Sequence, residues 1–351
     1  MKIISVVGAR PQFVKYAPLG HKLKSEFDEI CIHSGQHYDE NLSKIFFRQM
    51  DIPEPDINLN IGSHTHGKQT ALIMIGLEEQ FIKIKPDLVI VFGDTNTTLA
   101  GALVASKLKI KIAHVEAGLR SRNRDMPEEI NRILTDQCSD LLFCPTESAV
   151  NNLRVENIKN AIFNTGDLMF DVFKKYASKD ETDVLKKLSL KPNHYYLCTI
   201  HRAENTGSPE NMKRIFKALN DLDQPVVLPL HPRTLKVIKK LNVKVGAKIN
   251  IIDPLGYQDM VQLLLNCKKV ITDSGGLQKE AFFAKKYCKT LREETEWTET
   301  LKENKNVICG SNIEKIVTEC LKEENTFVET NFPFGDGNSS DAIVEILRKN
   351  I

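Results

Sequence analysis

The stretch HVEAGLRSRNRDMPEEINR, residues 114–132, carries four acidic residues and four arginines. Composition alone would make it a solvated helix face. Placement suggests chemistry. Glu116 follows the apolar run KIAHV, and a Gly comes two residues later. Glu128 and Glu129 follow Pro127, a residue suited to the first turn of a helix. Upstream, VFGDTNTT sets Asp94 just past the apolar run 87–92. If the runs 87–92 and 111–115 are paired strands, Asp94 and Glu116 are neighbours. Glu116 then shares a face with His114, because strand faces alternate. The helix dipole favours acidic residues in a first turn anyway, which accounts for one of the Glu128–Glu129 pair. Carboxylates crowded at one strand edge repel and raise at least one proton affinity. That is how a general acid and a general base coexist at one pH.

A second set of residues suits an anion. VVGARPQFVK (6–15) reads as strand, Gly turn and helix, with Pro11 at the first helical position. Arg10 would sit beside the amides of that helix N-terminus, and Lys15 about one turn further on. ITDSGGLQKEA (271–281) repeats the strand–turn–helix form with Ser274, Gly275 and Gly276. Glycines there expose N–H groups that cradle phosphate, and Glu280 is placed to accept from a ribose diol. TIHRAEN puts His201 and Arg202 past another strand, where they could stabilise a diphosphate leaving group. In PLHPRT two prolines make His231 and Arg233 a rigid turn. No G-x-G-x-x-G and no Gly-Lys-Ser/Thr occurs, so dinucleotide and P-loop chemistry lack their fingerprints. His37, His64 and His66 lack a Cys or carboxylate at ligand spacing, and no metal is expected.

The elements that position these residues are legible as a pattern. Apolar runs at 3–7, 29–34, 87–92, 111–115 and 141–145 alternate with helical segments. A second series lies at 195–200, 225–230, 249–253, 269–272 and 288–291. Continuous apolar strands between helices imply parallel sheets covered on both faces. The chain of 351 residues therefore reads as two doubly wound α/β domains, 1–167 and 168–351, divided near NTGDLMFD. The last segment, 339–350, reads as a helix that could pack back on the first domain. In such sheets ligands bind beyond the carboxyl ends of the strands, where Asp94, Glu116, His201 and Ser274 fall. A net charge of +2 gives no sign of a nucleic-acid partner. No apolar run approaches the ~18 residues of a membrane span, and MKIISVVGARP reads as a first strand rather than a signal peptide. Eight cysteines without CxxC pairs fit a reducing, cytoplasmic compartment.

Together, GARPQFVK, SGQHYDENL, GDTNTT, HVEAGLRS, MPEEINRILTD, HRAEN, HP and TDSGGLQKEA resemble the non-hydrolysing UDP-N-acetylglucosamine 2-epimerases, in order from residue 3 to about 310. The resemblance implies a GT-B-like fold: two Rossmann-like domains with a central cleft, UDP held mainly by the second. It also implies a homodimer and no dissociable cofactor. It assigns the acid/base carboxylates to Asp94, Glu116 and Glu128. Diphosphate and leaving-group contacts fall on Arg10, His201, Ser274 and Gly275, with Gly276 in the same turn, and the ribose contact on Glu280. Lys15 matches a lysine near the active site. Gln36 and His37 match the start of a regulatory UDP-sugar site in bacterial members, although Glu40 stands where a Met is usual. GARPQ in place of GTRPE, with LREETEW (291–297), points to a subgroup from polysaccharide clusters. That subgroup includes enzymes acting on UDP-2,3-diacetamido-2,3-dideoxyglucuronate. A uronate would need a cation near C6, for which Arg120, Arg122, Arg124 and Arg292 are the candidates.

Two other activities suit the same scaffold. Glycosyl transfer would use the UDP cradle but needs at most one base, so several carboxylates argue against it. Hydrolysis of a glycal intermediate turns on water access, which sequence separates poorly.

Overall fold

A computed structural model describes residues 1–35, 52–179, 182–230, 232–328 and 332–350. Gln36, His37 and His231 lie outside the described residues. By its contacts the chain forms two units, Met1–Lys174 with Phe332–Ile351, and Lys175–Asn331.

The first unit alternates β1 (Lys2–Val7), α1 (Arg10–Glu26), β2 (Asp28–His33), β3 (Ile57–Asn58), α2 (His66–Ile84), β4 (Leu88–Phe92) and α3 (Asn96–Lys107). It continues with β5 (Lys111–Val115), α4 (Pro127–Cys138), β6 (Leu141–Cys144), α5 (Glu147–Val155), β7 (Ala161–Asn164) and α6 (Leu168–Ala177). Seven parallel strands lie in the order β3-β2-β1-β4-β5-β6-β7. β4 is buried at every position, as a strand with helices on both faces must be. Ile4, Val6, Val89 and Val91 of the central strands meet Ile73, Leu77 and Phe81 of α2 in one core. The two strands of this first sheet that the sequence pattern missed, β3 and β7, lie at its edges and are less buried, so their apolar signal is weak.

The second unit contains α7 (Val184–Lys187), β8 (Tyr196–Thr199), α8 (Ala203–Thr206), α9 (Pro209–Asn220), β9 (Val226–Pro229), α10 (Pro232–Lys240), β10 (Ile249–Ile252) and α11 (Tyr257–Asn266). β11 (Lys269–Thr272), α12 (Gly275–Phe283), β12 (Cys288–Thr290), a 3₁₀ segment (Thr298–Asn304), β13 (Asn306–Ile308) and α13 (Ile313–Leu321) complete it. Its six parallel strands run β10-β9-β8-β11-β12-β13.

Both orders reverse once, between β1 and β4 and between β8 and β11. Helices depart to opposite faces on either side of such a reversal, which opens a crevice for ligand. The loop after β1 therefore lies beside the loop of Asp94, and the loop of His201 beside that of Ser274.

The final helix, α14 (Ser339–Asn350), belongs to the first unit. Ser339 and Ser340 N–H groups donate to Asp171 at 2.9 and 2.8 Å, and Lys22 of α1 donates to Ser340 at 2.9 Å. These contacts carry the division of the chain past residue 167 to the middle of α6. No helix among the described residues is long and apolar enough to cross a membrane.

Candidate active site

Gln12 ties the first unit's switch point together. Its side-chain oxygen accepts from the amides of Gly8 and Ala9 (2.8 and 2.9 Å), and its nitrogen donates to the Phe92 carbonyl (2.7 Å). The amides that suggested an anion site beside Arg10 are thus satisfied internally. Helix α1 begins at Arg10, so Pro11 is its second residue rather than its first. Arg10 is exposed.

β4 and β5 pair with Phe92 opposite Val115, which brings the next residues, Gly93-Asp94 and Glu116, side by side. The expected strand alternation stops at Val115, because Glu116 has φ +71°, a left-handed conformation that costs an ordinary residue ~1–2 kcal/mol. The backbone is held there by the Glu116 and Ala117 amides, which both donate to the Phe143 carbonyl at 3.0 Å. The Glu116 carboxylate forms an ion pair with Lys15, and both side chains are almost wholly buried. Gly93 also has positive φ, +64°, and a β-carbon on it would sit 3.1 Å from Lys15 Nζ. Only glycine fits that position without displacing the lysine.

Asp94 is held from α4. Its Oδ2 accepts from Arg132 Nε and Nη2 (3.0 and 2.7 Å), and its carbonyl accepts from Asn131 (2.9 Å). Arg132 turns its remaining Nη1 to Glu129 at 2.7 Å. Glu129 also accepts from the amides of Ser121 and Arg122 (2.9 and 2.8 Å). Burial alone would raise the Glu129 pKa, but these amides and the guanidinium outweigh it and hold the group below the ordinary carboxylate range. The acidic pair is thereby divided. Glu129 is buried and organises the 121–129 loop, while Glu128 is half-buried and has no hydrogen bond or ion pair among the described residues.

Under this loop lies a buried network. His114 Nε2 donates to the Gly93 carbonyl at 2.7 Å, and Nδ1 meets Asp136 Oδ1 at 2.6 Å. Asp136 also accepts from Arg120 Nη1 (2.7 Å) and the Gly118 amide (3.1 Å). Arg120 completes the network with a two-pronged contact to Glu156 at 2.7 and 2.6 Å. It is therefore a framework residue, not a cation available to a ligand.

In the second unit Asp273, fully buried, organises the loop after β8. It accepts from the amides of His201 (3.1 Å) and Arg202 (3.0 Å) and from Asn205 Nδ2 (3.1 Å). His201 Nδ1 lies 3.5 Å from the same carboxylate, and its ring is half exposed. Ser274 caps α12 by accepting from the Leu277 amide (3.3 Å), while its own amide donates to Thr272 Oγ1 (2.9 Å). Gly275 and Gly276 then supply the first two amides of the helix, which have no carbonyl partner within it. A side chain on Gly275 would meet Glu296 Oε1 at 2.6 Å. Arg292 is buried and donates to Glu296 at 3.0 Å. Glu280 accepts from Tyr257 OH at 2.8 Å, and Tyr176 packs edge-on against that ring at 5.1 Å.

Sequence reasoning missed Gln12, Asn131, Arg132, Asp136, Tyr257 and the organising role of Asp273. Asp136 and Arg132 stand in quoted motifs, but nothing local says which carboxylate an arginine meets. His66 Nδ1 accepts from Asn96 Nδ2 at 3.2 Å, and among the described residues no group of three His, Cys, Asp or Glu could hold a metal ion.

Two Rossmann-like sheets, one in a unit that carries carboxylates and the other in a unit with a helix-N-terminal cradle, are the parts of a GT-B-like nucleotide-sugar enzyme. The family model described as UDP-N-acetylglucosamine 2-epimerase matches residues 21–348, and the chain belongs to that family. It is 50% identical to a UDP-N-acetylglucosamine 2-epimerase homolog of Methanococcus maripaludis, over 99% of each chain. It is 45% identical to the UDP-2,3-diacetamido-2,3-dideoxy-D-glucuronate 2-epimerase of Pseudomonas aeruginosa, over 99% of this chain and 100% of the relative. The crystal structure of Methanocaldococcus jannaschii UDP-GlcNAc 2-epimerase, in complex with UDP-GlcNAc and UDP, superposes over the whole of both chains with TM-score 0.90 at 44% identity.

Proposed function

We propose that this enzyme inverts C2 of UDP-N-acetylglucosamine, giving UDP-N-acetylmannosamine as a polysaccharide precursor, by eliminating and re-adding UDP. The observation that carries the reading is the carboxylate set at the β4–β5 edge, with Glu116 paired to Lys15 and Asp94 held by Arg132. The C2 hydrogen has no adjacent carbonyl to acidify it, so direct deprotonation is hard. Loss of the C2 proton with cleavage of the C1–O bond to the diphosphate forms a C1=C2 double bond, a 2-acetamidoglucal. UDP then returns to C1 as a proton is delivered to the opposite face of C2. The reaction needs proton-transfer groups on two faces, assigned to Asp94, Glu116 and Glu128. It also needs a cradle for departing UDP, assigned to Arg10, His201 and the Ser274–Gly276 turn, with Glu280 on the ribose. The proton-transfer groups and Arg10 belong to the first unit, and His201, the Ser274–Gly276 turn and Glu280 to the second. Incubation with UDP-N-acetylglucosamine in D2O, followed by proton NMR, tests the route. Deuterium at C2 of the product is expected, and retention of the C2 hydrogen overturns elimination.

The same chemistry on UDP-2,3-diacetamido-2,3-dideoxyglucuronate is a second reading, favoured by the Pseudomonas relative at 45% identity. Arg120 is bound to Asp136 and Glu156, and Arg292 to Glu296. The exposed Arg122 and Arg124 are therefore the better candidates for a C6 carboxylate. If one of them reads it, Arg→Ala there lowers kcat/KM for the uronate more than for the neutral sugar, and equal losses exclude the role.

We further propose a homodimer in the cytoplasm. Ile75 and Ile82 support the dimer: each is 57% exposed, and they stand seven residues apart on one face of α2. Eight free cysteines, most of them buried, support a reducing compartment. Light scattering of wild type and Ile75→Asp tests the dimer.

A further inference from the structure

We infer that Asp167 is a positioning residue that sets the proton affinity of Glu116 by placing a second negative charge against the Lys15–Glu116 pair. The inference rests on Glu116 acting in proton transfer, as proposed above. Asp167 follows β7 and is 3% exposed. Together with Lys15, Glu116, Thr165 and Gly166 it lines one cavity of about 10 Å³. A space of that size holds about one water at most, so charges around it act on one another with little solvent screening.

The loop carrying Asp167 is built to stay there. Gly166 has φ +78°, and a β-carbon on it would lie 2.8 Å from both the Phe334 carbonyl and Ser339 Oγ. The Asp167 amide donates to the Phe334 carbonyl at 2.9 Å. Its Oδ1 accepts from the Met169 amide at 2.8 Å, at the start of α6. The C-terminal segment thus presses the loop against the wall of the site, while Lys22 anchors α14 to the helix that carries Lys15. Two carboxylates and one ammonium line this cavity, and a like charge disfavours ionisation of its neighbour. Glu116 then holds its proton to a higher pH than an ion pair with lysine alone would allow, which suits a group that must both take and return one. Among nearby carboxylates, Asp94 pairs with Arg132, Asp136 with His114 and Arg120, and Asp171 accepts from the α14 amides.

The test is Asp167→Asn. Asparagine keeps the side-chain oxygen that caps the Met169 amide and serves equally well at a helix start, so a purely structural role survives the change while the charge does not. Protein labelled with carbon-13 at the glutamate carboxyls is titrated by NMR, with the Glu116 signal assigned by its loss in Glu116→Gln. Turnover of UDP-N-acetylglucosamine is followed across pH in parallel. The expected result is a Glu116 midpoint, and an acid limb of kcat, each moved down by about one pH unit. An unchanged midpoint in Asp167→Asn overturns the inference. The titration decides this whether or not the wild type turns over, and absence of turnover in the wild type would instead count against the epimerase reading. Asp167→Ser, which retains a short acceptor for the same amide, repeats the charge removal should the Asn variant fail to fold.

Discussion

Arg132 is the side chain whose replacement should separate folding from chemistry most clearly. Its side chain is 5% exposed and donates to Asp94 through Nε and Nη2 and to Glu129 through Nη1. A hydrogen bond to a charged group contributes roughly 1.5–3 kcal/mol, so three taken at face value would exceed what one side chain removes. Two features reduce the figure. The Asp94 side chain is 33% exposed, so water replaces part of what it loses. Glu129 keeps the Ser121 and Arg122 amides. Arg132→Met should therefore cost about 3 kcal/mol, the low end for breaking a buried ion pair. Arg132→Lys keeps the charge, but an ammonium cannot serve both carboxylates with a rigid fork, so Asp94 loses its fixed orientation. We expect turnover of Arg132→Lys to fall roughly 10–100-fold, the scale of misplacing a reacting group by about 1 Å, with a smaller loss of stability than in Arg132→Met. Urea unfolding followed by circular dichroism gives the first quantity, and a coupled UDP-sugar assay the second. A loss below about 1 kcal/mol in Arg132→Met would show the pairs to be solvated and of surface strength. Wild-type turnover in Arg132→Lys would show that the orientation of Asp94 is not used.

Glu116→Gln and Asp94→Asn should each lower kcat by roughly 10²–10⁴, the weight of a general acid–base group. Calorimetry should still detect UDP binding, since His201, the Ser274–Gly276 turn and Glu280 lie in the other unit, and near-normal turnover in either variant would remove its role. Gly93→Ala should cost ~1–2 kcal/mol from positive φ alone and disturb Lys15, whose Nζ would lie 3.1 Å from the new methyl; thermal melting and kcat should fall together. Because the folded-state pKa of Glu129 lies below its ordinary 4.5, its ionised form contributes stability above that pH. The contribution is lost as pH falls below 4.5 toward the folded value. Glu129→Gln should flatten this part of an acid unfolding curve, and an unchanged slope would show that the group is not linked to folding.

How much of this was readable beforehand follows from the range of the forces involved. Strand runs such as 111–115 and 269–272 appear in the structure with the bounds read from the chain, because a doubly covered strand must be apolar at consecutive positions, a local and one-dimensional signal. Strand-end polarity is equally local, and it singled out Asp94, Glu116, His201 and Ser274. The edge strands at 57–58 and 161–164 escaped because exposure dilutes that signal. What the chain could not say alone is which partner each charge meets. Glu128 and Glu129 are adjacent and alike in sequence, yet only Glu129 lies against Arg132 and the loop amides, a consequence of the turn of α4 on which each falls. Arg120 and Arg132 sit in one arginine-rich stretch, but one is committed to Asp136 and Glu156 and the other to Asp94, contacts as many as 38 residues apart. Lys15 meets Glu116 because the sheet order sets β1 beside β4 and β4 beside β5. Residue type and period follow from local sterics and burial, while charge pairing depends on angstrom-scale distances that exist only once distant segments have packed.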